Sequence, residues 1–180
     1  MKISTGLFKG RILKVPKKGV RPTKGIVRSA IFNILGEHIK NAWVIDIFAG
    51  SGALGIEALS CGAKFCVFVE REPMILLKNI KELGLQKKAK IIKQDFRPGL
   101  KRIKSMKFDI AFIDPPYKKS YANEALRLLY FYNLLNENSI VVVEHTHLKP
   151  LLIPEVYEII KEKKYGNTSV TFLQLKRSER

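Results

Sequence analysis

Apolar and polar positions change rhythm along this chain, and the changes outline its elements. Residues 2–16, KISTGLFKGRILKVP, hold two short alternating runs around Gly6 and Gly10, which predict a hairpin ending at Pro16. A polar stretch, KKGVRPT, follows. Thr23 can then cap a helix from about Lys24 to Ile39, because Ile26, Val27, Ala30, Ile31, Ile34 and Leu35 recur at three and four and make one buried stripe. From Trp43 onward, short apolar runs alternate with helical patterns. The runs WVIDIF, FCVFVE, AKIIKQ, FDIAFID and SIVVVE read as strands, with helices expected over 53–61, 73–83 and 121–131. Strands that are continuously Val, Ile and Phe are buried on both faces, as in a parallel sheet with helices on each side. The tail, VYEIIKEKKYGNTSVTFLQLK, predicts two strands turning at Gly166-Asn167, so the doubly wound α/β domain should end in an antiparallel hairpin.

Composition narrows the setting. A chain of 180 residues that is 46% hydrophobic can bury one core. Its two cysteines, Cys61 and Cys66, have neither metal-site nor disulfide-framework spacing. That suggests a reducing, cytoplasmic setting; no run reaches the ~18 apolar residues of a membrane span, so a soluble protein is expected, and a monomer is the default. Charge is more informative. The chain carries 33 Lys and Arg against 16 Asp and Glu, a net +17. Residues 1–36 hold nine basic side chains and no acidic one, which points to a polyanionic partner, foremost nucleic acid. The expected organisation is a basic arm over 1–40 for contact with that nucleic acid and an α/β domain over 41–180.

Ligands of such sheets sit at the carboxyl ends of the strands. There the sequence delivers Asp46 with Gly50-Ser51-Gly52, then Glu70, Asp95-Phe96, and Asp114-Pro115-Pro116-Tyr117. Gly50, Gly52 and Gly55 have the G-x-G-x-x-G spacing of dinucleotide sites, and Glu70 follows Gly50 by twenty positions. An aspartate ending the first strand argues against a pyrophosphate, which it would repel, and for a cationic ligand. S-adenosylmethionine carries a sulfonium and an ammonium group, plus a carboxylate for the N–H groups at a helix start. Glu70 can accept from ribose hydroxyls, Asp95 can accept from the adenine amine, and the Phe96 backbone N–H can serve a ring nitrogen. Phe48, Ser51 and Arg71 adjoin these positions and complete the expected cofactor set. In DPPY, a carboxylate and proline-fixed carbonyls offer acceptors and no donor, which suits a planar exocyclic amine, and Tyr117 offers a face for its base. Arg11, Arg21, Lys24, Arg28, Lys118 and Lys119 are the candidate phosphate contacts. His145 and His147 lie on one strand with no third ligand nearby, so no metal is expected.

The order DIFAGSG, Glu70, DF and DPPY resembles that of the amino-group methyltransferases that use S-adenosylmethionine. More narrowly, GRILKVP, RPTKGIVRSAIFNIL, DIFAGSGALGIEALSCGA, DPPY and YGNTSVTFLQL resemble the RsmD family of bacterial 16S ribosomal RNA guanine-N2 methyltransferases, essentially end to end. Only Ile56 departs, standing where leucine is expected. The resemblance implies a seven-stranded Rossmann-like sheet of order 3-2-1-4-5-7-6 with strand 7 antiparallel. It also implies a ribosomal RNA substrate, expected in an assembled or partly assembled small subunit, and S-adenosylhomocysteine as product. Three alternatives stand beside it. An NAD-dependent oxidoreductase explains the glycines and Glu70 but leaves DPPY, Asp46 and the arm without purpose. A non-catalytic RNA-binding module would be expected to have lost cofactor positions. An adenine-N6 methyltransferase of DNA or RNA would use the same chemistry on another base.

Overall fold

A computed structural model describes residues 1–16, 25–116, 121–148 and 150–177. The strands are β1 (Trp43–Ile47), β2 (Phe65–Val69), β3 (Ala89–Ile92), β4 (Phe108–Ile113), β5 (Leu135–Thr146), β6 (Tyr157–Tyr165) and β7 (Thr168–Leu175). They form one seven-stranded sheet in the order β3-β2-β1-β4-β5-β7-β6. β1 to β5 run parallel, and β7 inserts antiparallel between β5 and β6, the order and polarity that the family resemblance implies.

Successive residues of each inner strand point to opposite faces, which explains the unbroken apolar runs. Val44, Cys66, Phe68, Ile110 and Phe112 join the core under α1 (Gly25–Leu35), α2 (Ala53–Ser60) and α3 (Met74–Glu82). Ile45, Ile47, Val67, Val69, Ala111 and Ile113 join the core under α4 (Phe96–Arg102) and α5 (Tyr121–Phe131). Helix α4 was not among the expected helices. Its sequence, FRPGLKR, contains two helix breakers, but Pro98 falls in the first turn, where no N–H is needed. Gly99 is required because a Cβ there would come within 2.8 Å of Val69 Cγ1.

The N-terminal residues pack onto the domain. Lys2 and Ile12 form one antiparallel bridge rather than a full ladder, and Ile3 and Leu13 are buried in the core cluster that holds Val44 and Phe68. The arm helix is shorter than the pattern predicts. α1 ends at Leu35, and a 3₁₀ turn over Gly36–Ile39 opens at Gly36, whose φ of 48° cannot continue an α-helix. Its buried stripe is also rotated. Val27, Arg28, Ile31, Phe32 and Leu35 face inward, whereas Ile26 is 77% exposed.

Candidate active site

The sheet register sets the site. Ile47 pairs with Val69 and with Ile113, and Val69 pairs with Ile92. Phe48, Glu70 and Asp114 therefore leave the sheet at one level on adjacent strands, and Asp95 lies three residues beyond β3. The glycine loop, Gly50 to Gly52, closes over β1 before α2 begins. At Gly50, φ is 56°, and a Cβ built there would meet nothing within 4 Å, so the loop faces open space on the rim. Gly55 serves packing instead: a Cβ would come within 2.3 Å of Phe68 on β2. The G-x-G-x-x-G spacing thus divides between ligand approach and helix–sheet contact.

The acidic residues do different work. Glu70 braces the loop, its Oε2 accepting the Gly50 N–H at 2.7 Å and its Oε1 the Glu72 N–H at 3.0 Å. Asp95 caps α4, with Oδ1 accepting the Arg97 N–H at 3.1 Å. Asp46 differs from its expected place on the rim. It is 2% exposed, and its Oδ2 accepts the Gly55 N–H at 2.9 Å. Strand alternation explains this, because Asp46 shares the Val44 face, which α2 covers, and the first turn of α2 needs acceptors. Burial, reinforced by the nearby Glu70 charge, pushes its pKa up to about 7 despite the Gly55 bond. Asp46 therefore lies beneath the loop and not on the rim, where direct contact with a cationic ligand was expected of it.

Phe48 adopts φ of 68°, a left-handed conformation that costs a bulky residue energy and that clusters at functional sites. Its ring stacks on Tyr121 at 6.0 Å and meets Phe96 at 4.7 Å, forming an aromatic wall beside the loop. Arg97 lies over the Phe96 and Tyr121 rings and pairs in fork geometry with Glu124. Neither Arg97 nor Tyr121 was singled out in the sequence; the aromatic Tyr121 only four residues past DPPY was the available signal. Arg71 is exposed beside Glu70, and Ser51 is half-buried. Pro115 is buried and Pro116 exposed at the end of β4. Tyr117, Lys118, Lys119, Arg21 and Lys24 lie outside the described residues.

Of the remaining phosphate candidates, Arg11 is exposed and Arg28 is not. Arg28 is 2% exposed, and its Nε donates to Glu57 Oε2 at 2.8 Å. Its expected contact with RNA is therefore corrected: the guanidinium is consumed by a buried acid on α2. The other Glu57 oxygen accepts from Ser4 N, Thr5 N and Thr5 Oγ1, so this pair clasps the N-terminal residues to both helices. The signal missed was a lone Glu57 inside the apolar helix ALGIEALS. His145 is engaged through Nε2 with Thr171 Oγ1 at 2.9 Å and through Nδ1 with the Thr146 carbonyl at 3.2 Å. Among the described residues, no three His, Cys, Asp or Glu side chains are grouped to hold a metal ion.

The family model described as conserved hypothetical protein 95 matches residues 1–174. A ribosomal RNA small subunit methyltransferase D from Haemophilus influenzae is 37% identical over 180 residues, covering 97% of this chain and 93% of its own. The putative rRNA methyltransferase YlbH of Bacillus subtilis is 36% identical, covering 94% of this chain and 96% of its own. The solved structure of the putative methyltransferase yhhF from Escherichia coli superposes with a TM-score of 0.87 at 31% identity, covering 97% of both chains. A match along almost the entire chain, in sequence and in strand order alike, makes this protein a member of the ribosomal RNA small subunit methyltransferase D family, a family of methyltransferases.

Proposed function

We propose that the chain transfers a methyl group from S-adenosylmethionine to the exocyclic N2 amine of a guanine in small-subunit ribosomal RNA. One observation carries the reading. β1 and β4 are parallel neighbours whose last residues, Ile47 and Ile113, are in register. A glycine loop suited to a nucleotide-like ligand and an acceptor-only turn thus leave the sheet about one strand spacing, ~5 Å, apart. The ribosomal substrate follows the names of the relatives, and guanine N2 follows the end-to-end RsmD-family resemblance, since DPPY alone would suit an adenine amine equally.

The residues fit the methyl donor. The open space at Gly50 admits close backbone approach, and Glu70 and Asp95 bring carboxylates to the rim as acceptors for ribose hydroxyls and the adenine amine. Phe48, Gly50, Ser51, Gly52, Glu70, Arg71, Asp95 and Phe96 would hold it, with the Asp46 charge acting from beneath. When bound, S-adenosylmethionine supplies an electrophilic methyl group on a sulfonium centre. The protein supplies orientation. A guanine amine is a weak nucleophile because its lone pair is delocalised into the ring, so alignment matters more than a strong base. Asp114 and the Pro115 carbonyl accept the two amine hydrogens, Pro116 stiffens the turn, and Tyr117 stacks on the flipped-out base. As positive charge develops on the nitrogen, the Asp114 carboxylate stabilises it, and the proton leaves to Asp114 or to water. Residues 1–40 act as the RNA-contacting arm, with Arg11, Arg21, Lys24, Lys118 and Lys119 on phosphates.

Asp114→Ala should lower turnover by about 10²–10⁴-fold while S-adenosylhomocysteine still binds by calorimetry. The substrate is small subunits from a strain lacking the activity, with N2-methylguanine read by nucleoside mass spectrometry. Near-normal turnover, or N6-methyladenine as the product, would overturn the reading.

A further inference from the structure

The N-terminal arm and the glycine loop meet at one buried side chain that methyl transfer does not use. Asn79, on α3, is 0% exposed. Its Oδ1 accepts the Lys14 N–H at 2.9 Å, and its Nδ2 donates to the Lys14 carbonyl at 3.0 Å and to the Ser51 carbonyl at 2.9 Å. With one N–H and two carbonyls as partners, only this orientation of the amide satisfies all three. None of these bonds holds its own helix, since the partners lie 65 and 28 residues away in sequence. Three residues beyond Lys14 the chain enters KKGVRPTK, which carries Lys17, Lys18, Arg21 and Lys24.

We infer that Asn79 is a positioning residue that couples the two sites: a cofactor seated on the glycine loop fixes the arm at Lys14, and RNA on the arm tightens the cofactor. The inference rests on the cofactor and RNA reading above. The amide is a rigid plane, so fixing the Ser51 carbonyl fixes Nδ2 and, with it, the paired bonds to the Lys14 backbone. Coupling of this kind is reciprocal, so either ligand reports it.

Hydrogen exchange of the full chain, with and without saturating S-adenosylhomocysteine, tests it once calorimetry has measured binding. In the wild type, exchange in peptides covering residues 11–16 should slow about fivefold or more on binding. Asn79→Ala should bind the ligand yet show no slowing. Lys14→Ala, which removes the side-chain ion pair to Glu82 but neither backbone bond, should keep the response. If Asn79 is purely structural, any slowing runs through the shared core and persists in Asn79→Ala, which overturns the inference; binding without slowing in the wild type overturns it too and leaves the cofactor reading intact. Absence of binding overturns the cofactor reading and this inference with it. If Asn79→Ala does not fold, Asn79→Asp, which keeps the Oδ1 acceptor and loses the Nδ2 donor to Ser51 and Lys14, takes its place with the same expected loss of slowing.

Discussion

At the scale of single residues, Asp46 is a carboxylate buried beneath the glycine loop, with its Oδ2 on the Gly55 N–H. With a folded pKa of about 7 against 3.8 unfolded, it keeps its proton in the native state while the unfolded chain has already released it. Stability therefore falls as pH rises from about 4 to about 7 and is level above that. Asn at this position can still accept the Gly55 N–H and has no charge to bury. Asp46→Asn should thus match or exceed the wild-type melting temperature at pH 8, by up to a few degrees, with little difference at pH 4. Under the proposed cofactor reading, the ionised form attracts the donor's cations. S-adenosylmethionine should then bind several-fold more tightly at pH 8 than at pH 6 in the wild type, and the variant should lose that dependence. Calorimetry at both pH values checks this, and equal pH slopes for the two proteins would remove the charge from the binding argument.

At the scale of elements, the clasp between α1, α2 and the N-terminal residues decides which face of the arm helix is buried. Every residue of α2 is buried, so Glu57 has no route to water. Arg28 supplies the compensating charge and rotates the α1 stripe to include itself, which leaves Ile26 outside. Removing one partner of such a pair strands the other in low dielectric and typically costs about 3–5 kcal/mol. Arg28→Met should fall at the lower end, because Glu57 keeps three donors from Ser4 and Thr5. Urea denaturation reads this loss. RNA binding by the still-folded variant should keep its salt dependence, and a reduced salt slope with unaltered stability would restore Arg28 as a phosphate contact.

At the scale of the whole molecule, the charge imbalance survives the loss of Arg28 to the interior. Lys2, Lys9, Arg11 and Lys14 are all exposed on the described part of the arm. Replacing Arg11, Arg21 and Lys24 with Glu should weaken RNA binding and reduce the magnitude of its log–log salt slope by about 2, at ~0.7 per single-strand phosphate contact. An unchanged slope would place the RNA on another face. The arm and the glycine loop share one core cluster and the Asn79 bridge, so such a change is expected to act on affinity and not on the fold.

The sequence by itself determined the doubly wound sheet, the closing antiparallel hairpin and the order in which the glycine loop, Glu70, Asp95 and DPPY arrive along the chain. Those features follow from local periodicity, from turn residues and from a family pattern written in contiguous motifs. It left α4 unseen, because a helix with Pro98 and Gly99 is secured by its Asp95 cap and by its fit against Val69 and not by propensity. Only the tertiary structure decided which charges are surface and which are interior. Arg28 reads as one more cation of a basic arm until Glu57, 29 residues on, is folded beneath it. Asp46 reads as a rim acid until α2 covers its face. Asn79 is one polar residue in a helix until it bridges Lys14 and Ser51. Burial and pairing belong to contacts between distant segments, and a one-dimensional pattern records which side chains are present without recording what they will face.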